Sequence, residues 1–580
     1  MYTPSIRRQR ARCARSQRLR RLSTLLLLIF IFLTGVSFTN QNVSIDLLLL
    51  KSGNVITMND AMPSAEAIAI KNGRIIWVGS NADANKLFSG AAETEDLHGA
   101  TVLPGILDVH THMLNLGQSF LKLNLKDIST VEGVVERVRE AAKTAAPGEW
   151  ILGWGWDEGK WASPYPNHAG LTQAAPNNPV VLAGLHGFAS WVNKKSLDLA
   201  GITKQTKDPE NGKIIRDSKT DEPTGVLTNT AQQLIERQVP PLSKDQIKKA
   251  IQLAALECAR NGLTSVDEAK VSPEELQAYR ELIREGKMPL RVYVMLDGAN
   301  KKLIDAWLEK GPLIEADGQL NVRSVKIFAD GALGSRGAAL FEPYSDAPTT
   351  KGVMTTPEAD IYDLTSRCLK RGFRVCTHAI GDAANHRVLD AYERAMRENP
   401  KRTDARLRIE HAQVLAPDDI PRFAKLKVIA SMQAVHCTSD MPWAEKRVGP
   451  VRIKGAYAWR SLLNTGAHVS LSSDFPGETL NPFAGMYSAI TRQDSDGKPA
   501  GGWDPDQRMT IKEALRSYTR EAAYAEFSEN EKGSIEIGKL ADLTIIDRDI
   551  TRIEPKELLT VRVLKTFVGG RKVYEIETRR

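Results

Sequence analysis

Short apolar runs alternate with amphipathic helical stretches through the middle of this 580-residue chain, and this alternation most constrains its fold. It is typical of parallel βα units, in which each helix carries the chain back to the start of the next strand. Strands are predicted over residues 102–109, 263–266, 291–296, 322–328, 373–377, 407–409, 428–432 and 468–471. Helices are predicted over residues 244–261, 273–285, 356–371, 383–397 and 417–426. Eight such strands with intervening helices predict an α/β fold of the (β/α)8, or TIM-barrel, class.

Both ends of the chain contain short apolar runs separated by turn signals, a pattern typical of β-structure. One such region covers residues 45–102 and includes the hairpin cue Lys71-Asn-Gly, and the other covers residues 541–574. Because both regions flank the barrel-like middle, we expect the chain ends to pair with each other. The predicted domains are a composite β-domain from residues 41–101 and 530–580, and a barrel over residues 102–529.

About 150 residues separate the first two predicted barrel strands. Connections between elements have a median length of about 4–6 residues, so this one is too long to be a simple loop. We therefore predict that residues 113–262 contain an inserted α+β subdomain. Insertions that follow a barrel strand lie over the catalytic face, so this subdomain is expected to cap the active site.

The first 40 residues carry eight arginines and no acidic residue, and an apolar run follows the arginines at residues 25–33. A basic segment before a short apolar run predicts a signal peptide or, where it is retained, a signal anchor. The protein is then exported (periplasmic or secreted) or membrane-anchored through this segment. Without those arginines the chain has 70 basic and 70 acidic residues, so the net charge of +8 does not indicate nucleic-acid binding.

The first predicted barrel strand ends in the sequence His110-Thr-His112. Residues i and i+2 of a strand point to the same side, so both imidazoles can face one point. Imidazole is a ligand that suits zinc and its first-row neighbours. The pair therefore predicts half of a metal site, and two histidines that are merely packed or hydrogen-bonded at a strand end are the alternative.

Further metal-capable side chains occur at the carboxyl ends of other predicted strands. They are Lys326 in the fourth strand, His378 after the fifth, His411 after the sixth and Asp474 after the eighth. The carboxyl ends of all barrel strands meet at one face, so these residues are expected to converge on the histidine pair. The alternatives are packed core histidines at positions 378 and 411, and a helix cap at position 474.

Six motifs of the chain resemble one known family. They are VLPGILDVHTH, VKIFADGALGSR, THAIGD, RIEHAQ, SLSSDFP and GSIEIGKLADLTIID. The sequence resembles the amidohydrolase superfamily, specifically its amidohydrolase-3 (YtcJ-like) branch, over nearly all of residues 45–575. This resemblance implies a metal-dependent hydrolase on a distorted (β/α)8 barrel beside a small β-sandwich built from both chain ends.

The resemblance also implies roles for particular residues. It assigns the metal centre to His110, His112, Lys326, His378, His411 and Asp474. Family lysines at the position of Lys326 are often carboxylated, and a buried lysine that has become a neutral amine can react in this way. An ordinary ion-paired lysine is the alternative. Asp330, Ser335 and Arg336 belong to a family motif and are candidate substrate-binding residues, as is His186, which is displaced by two positions from the family pattern.

The predicted activity is hydrolysis of a carbon–nitrogen bond in a non-peptide amide, formamide or cyclic amide. Metal-activated water would attack the carbonyl, with Asp474 acting first as general base and then as general acid. His411, or His186, would polarise the scissile carbonyl. The cofactor is predicted to be one or two divalent metal ions, with zinc as the first candidate.

Two other functions remain open from the sequence. The same centre could hydrolyse an ester or lactone or catalyse an isomerisation, because a fold does not determine its reaction. Alternatively, the chain could be an exported binding or regulatory protein without catalytic activity. The expected partner is a small-molecule substrate, with no nucleic acid, with membrane contact only through the N-terminal segment, and with homo-oligomerisation left open.

Overall fold

A computed structural model of the protein describes residues 47–91, 93–126, 128–156, 165–184, 189–210 and 212–577. Within these ranges no helix has both the length and the apolar character needed to cross a membrane. The predicted signal peptide or signal anchor, residues 1–40, lies outside the described residues.

A parallel sheet of eight strands forms the centre of the molecule. Its strands are Ile106–Thr111, Leu263–Val271, Arg291–Asp297, Leu320–Phe328, Arg374–Ala379, Arg408–His411, Ile429–Gln433 and Val469–Ser472. Each strand pairs in parallel with the next along the chain, and the short strand Leu313–Ile314 is added antiparallel to the fourth. Most of their residues are buried, as expected for parallel strands that are covered on both faces.

The first and eighth barrel strands meet at their carboxyl ends rather than through a continuous ladder. The backbone N–H of Asp474 donates to the carbonyl of His110 at 3.0 Å, and that of His112 donates to the carbonyl of Phe475 at 3.2 Å. Asp108 adds two links, because its carboxylate accepts from the backbone N–H and the hydroxyl of Ser473. The barrel is therefore nearly closed, and its seam lies at the predicted metal site.

Helices surround the barrel and connect its strands. They are Met113–Leu121, Lys244–Arg260, Pro273–Arg284, Lys301–Lys310, Glu358–Lys370, Asp382–Glu398, Ile420–Leu426, Ala434–Asp440, Ala444–Arg452, Trp459–Asn464, Pro482–Thr491, Ile511–Ser517 and Arg520–Ala525. The helix after the second strand shows how local sequence sets a boundary: it begins with Pro273, and Ser272 and Glu275 form a reciprocal capping box.

The predicted single strand 102–109 is wrong in one respect, because the structure divides it into two strands. Thr101–Pro104 belongs to a different sheet, and the barrel strand begins only at Ile106. The break is at Gly105, whose N–H donates to the carbonyl of Asp542 in the C-terminal segment. A Cβ at this glycine would collide with the side chain of Thr264, so the chain can change sheets here only without a side chain.

Two further sheets are built from both ends of the chain. One has the order Arg571–Glu575, Val563–Val568, Leu543–Ile546, Thr101–Pro104, Asn54–Ile56 and Ser64–Ala65. The other has the order Arg74–Gly79, Ala67–Lys71, Leu48–Lys51 and Glu93–Asp96, with the helix Asn81–Leu87 beside it. Their apolar faces share one buried cluster that includes Ile68, Ile70, Val102, Leu543 and Phe567. The chain ends thus form a β-sandwich.

Between the first two barrel strands the chain forms a separate six-stranded sheet. Its order is Gly212–Arg216, Pro223–Asn229, Ala189–Val192, Val180–Gly184, Ile151–Trp156 and Leu123–Asn124. The helices Val131–Ala142, Ala169–Ala174, Lys194–Leu199 and Gln233–Glu236 accompany it. The predicted fold class is confirmed: an α/β barrel, a sandwich from both chain ends and an α+β insertion after the first barrel strand. The domain boundaries drawn from the sequence stay predictions.

Candidate metal centre

Two histidines extend from the end of the first barrel strand toward the barrel axis. His110 is the second-last residue of Ile106–Thr111 and is buried, whereas the His112 side chain is 27% exposed. Their ring centroids are 5.7 Å apart, as the i, i+2 spacing predicted. The pair therefore forms one wall of a cluster with a buried and a solvent-facing side.

Asp474 lies opposite this pair, two residues beyond the eighth strand. Its Oδ1 is 3.2 Å from Nε2 of His112 and 3.8 Å from Nε2 of His110. Asp474 has a left-handed backbone conformation, with φ of 59°, which is uncommon for a residue with a side chain and costs energy. The hydrogen bond from its N–H to the His110 carbonyl holds that conformation, so the barrel seam and the carboxylate position are set together.

A second group of ligand atoms shares Asp474 and contains His411 and His436. The ligand atoms of these three residues lie within 4.8 Å of one another, as do those of His110, His112 and Asp474. The rings of His411 and His436 are nearly parallel, at 19°, with centroids 5.9 Å apart. Two adjacent groups that could each hold a metal ion therefore meet at one carboxylate.

His436 is a member of this cluster that was not predicted from the sequence. It lies in the helix Ala434–Asp440, three residues after the seventh barrel strand ends at Gln433. Its position in the sequence could have indicated a site residue, because the stretch that follows any barrel strand belongs to the catalytic face. The predicted ligands lie in barrel strands or directly after them, whereas His436 enters the cluster from the first turn of the next helix.

Lys326 and His378 complete the cluster from the fourth and fifth strands. Nζ of Lys326 lies 3.1 Å from Nε2 of His110, and both side chains are buried. The His378 ring centroid is 4.5 Å from that of His411, and the His411 centroid is 5.1 Å from that of His110. All six residues predicted for the metal centre are therefore brought together at the carboxyl face of the barrel.

Two buried contacts orient the histidines so that one ring nitrogen is fixed. Nδ1 of His110 is 2.7 Å from Oε2 of Glu410, and Nδ1 of His411 is 2.7 Å from Oε1 of Gln433. The amide of Gln433 is itself oriented, because its Nε2 donates to the Ser472 hydroxyl at 2.9 Å. In both histidines Nδ1 is then the protonated nitrogen and Nε2 carries the lone pair.

Burial sets the charges of the cluster. It lowers the pKa of His110 to about 4 and that of His378 to about 3, and it lowers the pKa of His411 well below its ordinary value. For Asp474 burial acts in the opposite direction, but the nearby histidines, His110 first, hold its pKa well below the ordinary value. At neutral pH these three imidazoles are therefore neutral, and the Asp474 carboxylate is ionised.

The donor set fits a divalent metal ion. Neutral imidazoles and a carboxylate are ligands that suit zinc and other first-row cations. Nε2 of His378 is buried and has no hydrogen-bond partner among the described residues, although buried polar atoms are generally paired. A ligand would satisfy this nitrogen, and the His378 ring lies beside the His411 ring, with centroids 4.5 Å apart.

The candidate substrate-binding residues lie in different surroundings. Asp330 is buried, and its carboxylate accepts the backbone N–H groups of Ala339, Ile380 and Gly381 at 2.8 to 3.0 Å. Burial raises the pKa of Asp330 to about 7. These contacts make Asp330 a tether between two loops beside His378, whose Nε2 is 3.5 Å away.

Arg336 lies on the loop that follows the fourth strand. Its guanidinium forms a bidentate pair with Asp346, at 3.0 and 3.1 Å, and about a third of its side chain is exposed. Ser335 is exposed and donates to the carbonyl of Ala332. His186 lies outside the described residues. The structure therefore does not bring Asp330, Ser335 and Arg336 together as it does the six candidate metal ligands.

Comparison with known proteins agrees with this arrangement. A model of the amidohydrolase family matches residues 93–574. The chain is 32% identical over 535 residues to a putative amidohydrolase, YtcJ, of Bacillus subtilis, which covers 90% of this chain and 98% of that protein. It is 29% identical over 548 residues to the N-substituted formamide deformylase of Arthrobacter pascens, with coverage of 91% and 98%.

A solved structure is similar over most of the chain. The crystal structure of an uncharacterized metal-dependent hydrolase from Pyrococcus furiosus has a TM-score of 0.73 and 29% identity, and the match covers 87% of this chain and 100% of that one. A barrel with histidines and an aspartate at its carboxyl face, a family model that matches most of the chain and these relatives together show that the chain belongs to the amidohydrolase family.

Proposed function

We propose that the protein is a metal-dependent hydrolase of carbon–nitrogen bonds other than peptide bonds, in a non-peptide amide, formamide or cyclic amide. The position of Asp474 is the observation that most strongly supports this proposal. Its carboxylate is shared by two groups of potential metal ligands and is 20% exposed, so it can reach a substrate. The name of the Arthrobacter relative, N-substituted formamide deformylase, supports this choice of bond.

Six residues would hold one or two divalent metal ions, with zinc as the first candidate: His110, His112, Lys326, His378, His411 and Asp474. Such an ion, when bound, polarises a carbonyl and lowers the pKa of water from 15.7 to about 7. Ligand atoms of His112 and of His411 lie near the Asp474 carboxylate, which favours two neighbouring ion positions over one.

Asp474 would move the proton in both halves of the reaction. Its ionised carboxylate accepts a proton from the attacking water and later donates it to the leaving nitrogen, so the amide and water become a carboxylic acid and an amine. Held between His112 and His436 at the edge of the cluster, the carboxylate has a buried side and a side that a substrate can approach.

In this proposal His436, and not His411, donates the hydrogen bond that polarises the scissile carbonyl. The contact of His411 with Gln433 leaves a lone pair on Nε2, which suits a metal ligand and not a hydrogen-bond donor. The His436 side chain is 20% exposed and its Nε2 is 3.9 Å from Oδ2 of Asp474, so it lies beside the space a substrate carbonyl would enter.

Lys326 is proposed to be carboxylated. An ordinary ion-paired lysine would need a carboxylate within ion-pair distance, and the described part of the chain offers none; the one close polar neighbour recorded there is His110. The neutral amine would combine with carbon dioxide to form a carbamate and release one proton. The carbamate oxygens could then bridge two cations, and burial, which lowers the lysine pKa to about 8, favours the reactive neutral form.

We expect Lys326→Ala to lower the metal content from two ions per chain to one or fewer, because the bridging oxygens would be lost. Elemental analysis of purified protein measures this, and short-chain carboxylic acids should partly restore the second ion. Lys301→Ala, at an exposed lysine in the helix Lys301–Lys310, is the matched control. Retention of two ions by Lys326→Ala would contradict the bridging role.

The proposed function is tested by metal content and substrate preference together. Purified full-length protein should retain zinc, iron or manganese after supplementation, because catalytic metal sites bind tightly. The metal-loaded protein should hydrolyse formamides or cyclic amides faster than matched esters and lactones. Less than about 0.2 equivalents of metal per chain, or activity confined to esters, would contradict the proposal.

A further inference from the structure

Lys270, at the carboxyl end of the second barrel strand, has surroundings that the proposed chemistry does not explain. It follows Ala269, which is buried inside the barrel with Tyr293 and Met295, and it precedes the buried Val271. Lys270 is the exposed residue of this stretch and lies on the same barrel face as the metal centre.

The backbone at Lys270 is shaped in a way that redirects its side chain. The pairing of this strand with the third shifts register between Glu268 and Val271, so the intervening residues form a bulge. Lys270 has φ of 63°, in the left-handed region that side chains disfavour. Bulges beside active sites commonly aim a side chain away from the regular strand pattern, and unfavourable backbone conformations cluster at functional sites.

The redirected ammonium group lies near the cluster. Nζ of Lys270 is 5.7 Å from the ring centroid of Phe328, and Nζ of Lys326 is 5.0 Å from the same centroid. The Phe328 ring also contacts His378, with centroids 5.2 Å apart. The two lysine nitrogens are therefore separated by no more than the sum of their distances to the Phe328 ring, which both of them approach.

Within the described part of the chain, no carboxylate neutralises Lys270. Among the described residues it takes part in no ion pair and no hydrogen bond, and its recorded contact is with the aromatic ring. Acidic residues elsewhere on the molecule are frequently paired with lysine or arginine, as in the contact between Lys248 and Glu285. A cation held at the rim of a site by an unfavourable backbone, without a partner from the protein, is available for a ligand.

We propose that Lys270 binds an anionic group of the substrate, so that the enzyme acts on amides that carry a carboxylate a few bonds from the scissile carbon–nitrogen bond. This inference rests on the proposed function. The carboxylate would accept a charge-assisted hydrogen bond from Nζ of Lys270, while the aliphatic part of the substrate packs against Phe328. The amide would then lie toward the cluster, and Lys270 determines specificity without touching the reacting atoms.

The test uses matched pairs of ω-formamidoalkanoates, with two to six methylenes between nitrogen and carboxylate, and the same compounds ending in a primary carboxamide. The metal-loaded full-length protein should have kcat/KM about 10- to 100-fold higher for the carboxylate at the best chain length. Lys270→Gln should remove this preference by lowering kcat/KM for the carboxylates alone. Lys270→Arg should retain much of it, and Lys302→Gln is the control at an exposed lysine of the helix Lys301–Lys310.

Calorimetric titration of the same compounds separates this inference from the proposed function. If no compound is hydrolysed, the proposed function fails in this series, yet tighter binding of carboxylates that is lost in Lys270→Gln still supports the anion site. A carboxylate that binds the metal directly would keep its affinity in Lys270→Gln. Equal affinity for the carboxylates and the matching carboxamides would overturn the inference. A preference for carboxylates that is unchanged in Lys270→Gln would do the same.

Discussion

Asp474→Asn is expected to lower kcat of the metal-loaded protein by about 100- to 10,000-fold, the usual contribution of a general acid–base residue. Asparagine keeps the size of the side chain and one oxygen, but it cannot accept a proton from water or return one to the leaving nitrogen. The left-handed backbone at this position tolerates asparagine well, so the barrel seam should survive the change. Steady-state kinetics together with elemental analysis would check this, because the loss must appear in protein that still contains metal.

The control for this experiment is Asp496→Asn, at an exposed aspartate in the loop after the helix Pro482–Thr491. It should leave kcat unchanged. If Asp474→Asn retained metal and full activity, Asp474 would not be the base, and the centre would use another group. If Asp474→Asn abolished hydrolysis but the protein kept its biological effect, a binding or regulatory function would be favoured.

Glu410→Gln is expected to have the largest effect on stability, with the free energy of unfolding falling by about 3–5 kcal/mol, as when one partner of a buried ion pair is removed. Glu410 is buried between Arg408, whose Nε donates to it at 2.8 Å, and His110, whose Nδ1 lies 2.7 Å away. Arg408 also pairs with the buried Asp267. The neutral amide would leave part of the Arg408 charge uncompensated and would not orient the His110 ring.

The same change should weaken metal binding by about 10- to 100-fold, because residues that orient a metal-binding histidine contribute affinity of this size. Chemical denaturation and competition with a chelator measure the two effects separately. The surface variant Glu136→Gln, which removes an exposed partner of Arg139, should change stability by less than about 1 kcal/mol. Unchanged metal affinity in Glu410→Gln would show that the ring is oriented by other contacts.

The stability effect of Glu410 should depend on pH in a defined direction. Burial opposes its ionisation, but Arg408 and His110 hold the pKa of Glu410 well below its ordinary value. A carboxyl group with a depressed folded-state pKa stabilises the protein above its unfolded pKa, about 4.3 for glutamate, and loses that contribution as pH falls toward the folded value. The difference between wild type and Glu410→Gln should therefore be constant near neutral pH and shrink only below about pH 4.

The barrel and the convergence of the six candidate metal ligands could be predicted because both depend on short-range pattern. Apolar runs mark the strands, and in a parallel barrel every strand ends at the same face, so a residue's place after a strand largely determines where it lies. His378 and His411 lie in one cluster with His110 for this reason, although the three residues are far apart in the chain. The prediction of strands from apolar runs failed at Gly105, because the chain changes from one sheet to another within the run 102–109.

Other parts of the site depend on contacts that no local pattern contains. His436 joins the cluster from a helix, and Glu410 is a partner of His110 only because the nearly closed barrel brings the first and sixth strands, which do not pair, close together. Asp330 belongs to a recognisable motif, but only the structure shows its carboxylate bound by three backbone N–H groups. Lys270 is exposed and aimed at Phe328 because of a bulge in strand pairing.

By itself, the sequence determined which strands form, their order and which ligand-type side chains end them, because hydrophobic periodicity and residue chemistry are local properties. The tertiary structure decided how those side chains act together: which nitrogen of His110 and of His411 carries the proton, and which charges are buried and paired. It also decided that Asp474 closes the barrel seam with its backbone while it completes the cluster with its carboxylate. These depend on distances between residues remote in the chain, and only packing sets such distances.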